Sequence, residues 1–337
     1  MGLIGGVVLN IILDVMGGDY SPREQVLGAM RAASEGDFTV TLVGDSELIN
    51  KELEGYEKDN IKVIHADSVI TNDEEPALAV RRKKDSSVVI AAKEVSEGRG
   101  DALVSCGSTG AVLSAGILII GRVKGVLRPA LAPVIPTRKE PVLLLDCGAN
   151  ADCKPENLVQ FAKMGSIYMK DVLKRDNPRV CLANIGAEEH KGNSLMKESY
   201  GLLKESSVNF IGNIEGRDML NGDCDVVVAD GFTGNIILKL TEGVTSHMVS
   251  MIKNMLMSSI KTKLAAVMIK NNLKEFKKSM DYEEYGGALL LGVKAPVIKC
   301  HGASKEKSVY YGIMQAAKCI ESGMVETISK SIIDAQM

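Results

Sequence analysis

Short β-branched runs ending in Gly, Asp or Asn alternate along this chain with longer stretches whose apolar residues recur every three or four positions. The runs predict strands at Val8–Val15, Thr39–Val43, Lys62–His65, Ala102–Ser105, Val142–Leu145, Val180–Asn184, Asn209–Gly212, Asp225–Ala229 and Val297–Cys300. The amphipathic stretches predict helices at Arg23–Ser34, Pro76–Ser96, Thr109–Gly121, Pro155–Leu173, Asn193–Glu205 and Lys305–Ile333. Strands alternating with helices of this length imply βαβ units and a three-layer α/β/α arrangement around a mostly parallel sheet. Val142–Leu145 and Val226–Val228 are apolar throughout, as burial on both faces requires. Pro129, Pro133, Pro136 and Pro141 punctuate one long connection, a candidate lobe boundary inside what otherwise reads as a single domain over 8–337.

One segment breaks the alternation. Between Val244 and Met280 there is neither Gly nor Pro, and apolar residues keep a three-and-four spacing. A straight helix of that length would reach about 55 Å, so a projecting two-helix hairpin over 244–280 is expected. Its charge is lopsided, with Lys253, Lys261, Lys263, Lys270, Lys274, Lys277 and Lys278 against Glu275 alone. Two readings stand side by side: a solvated surface or dimer contact, and a basic amphipathic element for an anionic membrane or an acidic protein.

Composition narrows the function classes. Hydrophobic residues make up 45% of the 337, enough for a sizeable core, although aromatics are 4% and Trp is absent. A net charge of −3 argues against a chain that coats nucleic acid over its whole surface. The seven cysteines, odd in number and without a CxxC pair, read as small buried hydrophobes of a reducing cytosol. Met1–Leu13 lacks a basic n-region and a cleavage site, and no run approaches the roughly 18 uncharged residues of a spanning helix. A soluble protein is expected.

Ligands of open parallel sheets sit beyond the carboxyl ends of the strands. Those ends read Asp14-Val-Met-Gly-Gly-Asp19, Ser105-Cys-Gly-Ser-Thr-Gly110, Asp146-Cys-Gly-Ala-Asn150, Gly186 through Asn193, and Asp230-Gly-Phe-Thr-Gly-Asn235. Free backbone N–H groups, hydroxyls and amides gathered on one edge suit an anion, with Lys191 among them. Neither GxxxxGK[ST] nor GxGxxG occurs, which removes support for a nucleotide triphosphatase and for a standard dinucleotide fold. His65, His190, His247 and His301 show no metal-ligand spacing, so no metal and no cofactor is expected. Cys106 and Cys147 flank loops but have no recognisable His partner.

Together with Ala79-Val-Arg-Arg-Lys-Lys84, Gly107-Ser-Thr-Gly-Ala111, Leu145-Asp-Cys-Gly-Ala-Asn150, Lys191-Gly-Asn193, Val228 through Asn235 and Tyr285-Gly-Gly-Ala288, these loops resemble the bacterial phosphate acyltransferases, in order from about Leu13 to Lys330. The resemblance implies the fold of the isocitrate/isopropylmalate dehydrogenases and phosphotransacetylases, a homodimer, and acyl transfer from acyl carrier protein to inorganic phosphate for phospholipid synthesis. It also implies a cytoplasmic enzyme held peripherally on the membrane, where a glycerol-3-phosphate acyltransferase takes the product. One departure stands out: the family's Gly-Asn-Thr-Gly is Gly107-Ser108-Thr109-Gly110 here, with Ser keeping a hydrogen-bonding side chain. Two rivals share the fold, a phosphotransacetylase using acyl-CoA and a metal-dependent decarboxylating dehydrogenase. A third is a non-catalytic membrane adaptor.

With phosphate itself as nucleophile, positioning and preorganised donors dominate catalysis. Lys191 is expected to give fixed positive charge, and Asn193, Asn150 and Asn235 neutral hydrogen bonds. Ser108, Thr109 and the backbone at Gly17, Gly18, Gly107, Gly110 and Gly234 complete the candidate anion site. Asp14, Asp19, Asp146 and Asp230 cannot all face a dianion while ionised; one orients a cation or takes a phosphate proton, and Asp14 and Asp19 serve equally well as turn caps. Of the adjacent Arg81 and Arg82, at most one serves the site. In the hairpin, Leu264, Val267 and Met268, flanked by Lys261, Lys263 and Lys270, form the expected membrane or carrier contact.

Overall fold

The computed structural model describes residues 3–4, 7–56, 59–279 and 282–334; Met1, Met280 and the last three residues of the expected domain lie outside the described residues. Among the described residues there are fourteen strands: β1 (Leu3–Ile4), β2 (Val7–Val8), β3 (Asn10–Asp14), β4 (Thr39–Gly44), β5 (Ile61–His65), β6 (Ala102–Ser105), β7 (Ala130–Ala132), β8 (Val134–Ile135), β9 (Val142–Leu145), β10 (Arg179–Asn184), β11 (Asn209–Glu215), β12 (Val226–Val228), β13 (Ala288–Leu291) and β14 (Val297–Lys299).

Apart from the small β1–β2 pair, they form two sheets. One runs β5-β4-β3-β6-β14-β13-β7 and the other β11-β10-β12-β9-β8. Both are mostly parallel, with antiparallel edges where β13 joins β14 and β7, and where β8 joins β9. The proline-rich connection is the crossover: β7 ends one sheet, Pro133 follows, and β8 begins the edge of the other. The chain returns to the first sheet through β13 and β14.

Helices cover both sheets. Val142, Leu143, Leu144 and Leu145 are all fully buried, each side chain stabilising the fold by about 1.5–3 kcal/mol relative to exposure. The C-terminal helices tie the halves together, Glu306–Glu321 packing on Arg23–Glu35 and Met324–Asp334 on Pro155–Asp171. The sequence read these two as one helix; the break falls at Gly323, whose φ of 64° suits glycine. Pro76–Ser96 likewise divides, into Pro76–Arg82 and Ser87–Ser96.

The basic segment starts earlier than the sequence suggested. One helix runs Gly231–Met257, continuous through Gly243, followed by Ile260–Met268 and Lys270–Ser279. A mid-helix Gly costs only about 1 kcal/mol, too little to stop 27 residues. The turn comes instead at Ser258–Ser259, where Ser259 and Thr262 cap the next helix reciprocally. Among the described residues, no helix is long and apolar enough to cross a membrane.

Candidate active site

A cavity of about 1180 Å³ opens between the carboxyl edge of the first sheet, the β7–β8 crossover and the first turns of the helix Gly231–Met257. Three loops of the first sheet meet there. Gly17, Gly18 and Asp19 follow β3; Cys106, Gly107, Ser108 and Thr109 follow β6; Lys299 through Ser304 close β14. Gly17 is required by close approach, since a Cβ on it would lie 2.5 Å from the Gly107 Cα. Asp19 N–H donates to the Gly302 carbonyl at 2.9 Å, joining the outer two loops.

Beneath them, Asp14 is buried and accepts from Ser105 Oγ at 2.7 Å and from Met16 N–H at 3.2 Å, while Ser105 Oγ accepts from Gly107 N–H at 2.9 Å. Asp14 therefore braces the loops from below, and burial raises its carboxyl pKa despite those hydrogen bonds. Asp19 lies on the cavity wall itself, as does Glu242.

From the second sheet, Cys147 and Asn235 line the cavity, with the Asn235 amide over Gly148. Asn235 is set there by its helix. Asp230 caps it by accepting from Thr233 N–H at 2.9 Å and Thr233 Oγ1 at 2.7 Å. Gly234 lets it press on the β9 end, where a Cβ would fall 1.9 Å from the Asp146 carbonyl oxygen. Asp146 is fully buried. Its Oδ1 accepts from Leu131 N–H at 2.8 Å and Ala149 N–H at 3.2 Å; its Oδ2 accepts from Asn150 N–H at 2.7 Å and Asn150 Nδ2 at 2.9 Å. Asn150 also donates to the Pro129 carbonyl at 2.7 Å. Burial holds the Asp146 carboxyl above its ordinary range.

The structure thus brings Gly17, Gly18, Asp19, Gly107, Ser108, Thr109 and Asn235 to one cavity, and puts Asp14, Asp146, Asn150, Asp230 and Gly234 directly behind its walls. Gly110 packs on Pro76. Lys191 and Asn193 are not in the cavity wall. The Lys191 stem lies along Gly186 in the loop after β10, and Asn193 caps Ser194–Glu205 by accepting from Met196 N–H at 3.0 Å. Arg81 and Arg82 are exposed away from the cavity. Burial drives the Cys147 thiol far up, leaving it a poor nucleophile, whereas a hydrogen bond with Cys300 lowers that of the buried Cys106. The sequence reading missed Lys299. It sits in an apolar strand pattern, yet lines the cavity at 9% exposure.

Exposed apolar residues recur along the helix that carries Asn235: Phe232, Ile236, Leu240, Val244, Met248, Met251 and Met255. Leu264, Val267 and Met268 follow at 64%, 71% and 86% exposure, and Lys261, Lys263 and Lys270 are exposed beside them.

Solved phosphotransacetylases share the fold. The enzyme of Streptococcus pyogenes superposes with a TM-score of 0.60 at 16% identity, over 95% of this chain and 96% of that one. A phosphotransacetylase of Staphylococcus aureus gives 0.60 at 17%, over 92% and 94%. In sequence, a family profile described as "Fatty acid synthesis protein" matches residues 9–327. Proteins named phosphate acyltransferase are 49% identical in Alkaliphilus oremlandii, over 96% of this chain and 97% of that protein, and 50% in Bacillus licheniformis, over 96% and 98%. The chain belongs to this family, that of the bacterial phosphate acyltransferases, and is an acyltransferase.

Proposed function

We propose that the protein transfers a long-chain fatty acyl group from acyl carrier protein to inorganic phosphate, giving an acyl phosphate for phosphatidic acid synthesis. One observation carries the reading: uncharged loop donors, Ser108, Thr109 and Asn235, share a single cavity with an extended apolar wall of Ile70, Leu131, Val134, Ile135, Leu220 and Leu238. Phosphate and a fatty chain need those two surfaces side by side. The names of the relatives support acyl transfer to phosphate.

In this reading a phosphate oxygen attacks the thioester carbonyl, the tetrahedral oxyanion collapses, the C–S bond breaks and the carrier thiolate leaves to take up a proton. The thiolate is stable enough to depart without strong general-acid help, because the carrier thiol ionises only somewhat above the ~8.5 of Cys. Ser108, Thr109 and Asn235 are assigned to donate to phosphate or oxyanion, and Lys191, on the loop after β10, to add charge. Asp14, Asp146, Asn150 and Asp230 hold the donors in place, and Asn193 shapes the Lys191 loop.

The unit is the whole of 8–337, since both sheets wall the cavity. We assign the exposed stripe from Phe232 to Met255 to a homodimer contact. Leu264, Val267 and Met268 with their flanking lysines are assigned to an anionic membrane face or to acidic carrier protein. That placement would make the enzyme cytoplasmic and peripheral, delivering product to a membrane glycerol-3-phosphate acyltransferase.

The test is release of free thiol from long-chain acyl carrier protein with and without orthophosphate, with acyl-CoA as a parallel donor. Phosphate-dependent release, faster from the carrier, is expected. Release indifferent to orthophosphate, or an acyl group trapped on the protein, would sink the proposal; preference for acyl-CoA would replace the donor.

A further inference from the structure

Three Lys or Arg side chains among the described residues line the cavity: Arg138, Lys239 and Lys299. The first two are exposed, so water compensates them. Lys299 is buried, at the end of β14, where its neighbour in the ladder is Ser105 of β6. That pairing sets it beside the Cys106–Thr109 loop.

Its ammonium carries three N–H donors, yet among the described residues its hydrogen bonding is limited to the carbonyl of Cys300, the next residue along the chain. It has no ion pair among the described residues. The groups that face it are Cys106, Cys300, Asp14 and Asp19. Asp14 is spent on Ser105 and Met16, and neither aspartate reaches ion-pair distance. Burying an ammonium without a paired anion costs several kcal/mol, and burial lowers its pKa accordingly.

Polar groups without partners collect around the same corner. Ser308 Oγ, in the cavity wall at 2% exposure, has no hydrogen-bond partner among the described residues. Nε2 and Oε1 of Gln25, fully buried immediately behind Gly18 and beside the Cys106 thiol, have no nitrogen or oxygen partner among the described residues. Buried polar atoms in native proteins are almost always satisfied, so a cluster of unsatisfied ones beside an uncompensated cation marks where something polar and anionic is received.

We propose that Lys299 is the fixed cation that holds orthophosphate in the cavity, with Ser308 Oγ as a second donor at the same end. This rests on the reading that orthophosphate is the acyl acceptor. It separates two tasks, leaving oxyanion stabilisation to the donors near Asn235 while phosphate is anchored at the β3–β14 corner.

The experiment measures the KM for orthophosphate and for the acyl thioester in Lys299→Met, Lys299→Arg and Ser308→Ala. A lost hydrogen bond to a charged group corresponds to about 10-fold or more in binding. Lys299→Met is therefore expected to raise the phosphate KM at least about 10-fold, with the thioester KM within about twofold of the parent. Arg should restore part of the loss, and Ser308→Ala should raise the phosphate KM about threefold or more. Orthophosphate should raise the Tm of the parent and fail to raise that of the Met variant. If Lys299→Met does not fold, Lys299→Arg and Ser308→Ala decide by the same comparison. Folded variants with an unchanged phosphate KM, or with both KM values raised alike, overturn the role of Lys299. A parent that needs no phosphate overturns the acyl-acceptor reading instead.

Discussion

Removing the carboxylate of Asp146 should cost stability before it costs chemistry. Asp146→Ala strips the acceptor from three backbone N–H groups, those of Leu131, Ala149 and Asn150, and from the Asn150 amide. Each buried donor left unsatisfied costs about 1–3 kcal/mol. Part of this is offset, because burial already disfavours the charged carboxylate. A net loss of about 3–5 kcal/mol is expected, a large share of the 5–15 kcal/mol typical of a folded protein. Asp146→Asn retains one oxygen but points an NH₂ at backbone donors, so roughly half that loss is expected. Urea unfolding followed by circular dichroism reads it directly: with m of about 3 kcal/mol/M, the midpoint should fall by more than about 1 M for the Ala variant, at unchanged m. The linkage lies between the two sheets, because Leu131 belongs to β7 of one and Asp146 follows β9 of the other. An Asp146→Ala protein of near-parental stability and no turnover would refute this reasoning and return the carboxylate to the reaction.

Four further outcomes are expected. Lys191→Ala should lower kcat by about 10²-fold, the effect of losing one oxyanion donor; parental rates in a folded variant would remove it from the site. Replacing Val267 and Met268 with Asp should release the protein from anionic vesicles in flotation while sparing turnover of soluble substrate, and unchanged flotation would move the contact elsewhere. Asp14 has a carboxyl pKa raised by burial, so above the ordinary value of 3.8 the folded state holds a proton that the unfolded state has lost. That contribution to stability is full below 3.8 and fades as pH rises through the folded value. Asp14→Asn abolishes it, so variant minus parent stability should climb with pH across that window, and a flat difference would contradict it. Gly234→Ala should unfold at lower temperature than the parent, since its methyl would collide with the Asp146 carbonyl; an unchanged Tm would show that the helix shifts freely.

The parallel framework was legible because strands buried on both faces, such as Val142–Leu145, announce themselves as unbroken apolar runs. The antiparallel edges were not. Ala130–Ala132 and Val134–Ile135 are too short, between prolines, to show any period. Their absence from the sequence reading hid the second sheet, although the prolines themselves marked the crossover. The candidate site was legible as loops, since Gly17, Gly107 and Ser108 follow strand ends directly and Asn235 lies in the first turns of the helix after β12. It was not legible as roles. Asp146 and Asp230 look like exposed chemistry in sequence, and only the fold shows them turned toward backbone N–H groups. Lys299 had the reverse fault, being a charge concealed inside the apolar run Val297–Cys300.

The helix Gly231–Met257 extends for about 40 Å at 1.5 Å per residue. It starts in the cavity wall and ends among side chains bare of cover. Such a rod works as a lever with its fulcrum at Gly234, packed hard against the Asp146 carbonyl. A tilt of about five degrees there swings the far end through roughly 3 Å. Asn235, one residue from that pivot, shifts by only about 0.1 Å in the same tilt, so its amide keeps its place whatever touches Met255 and Met257.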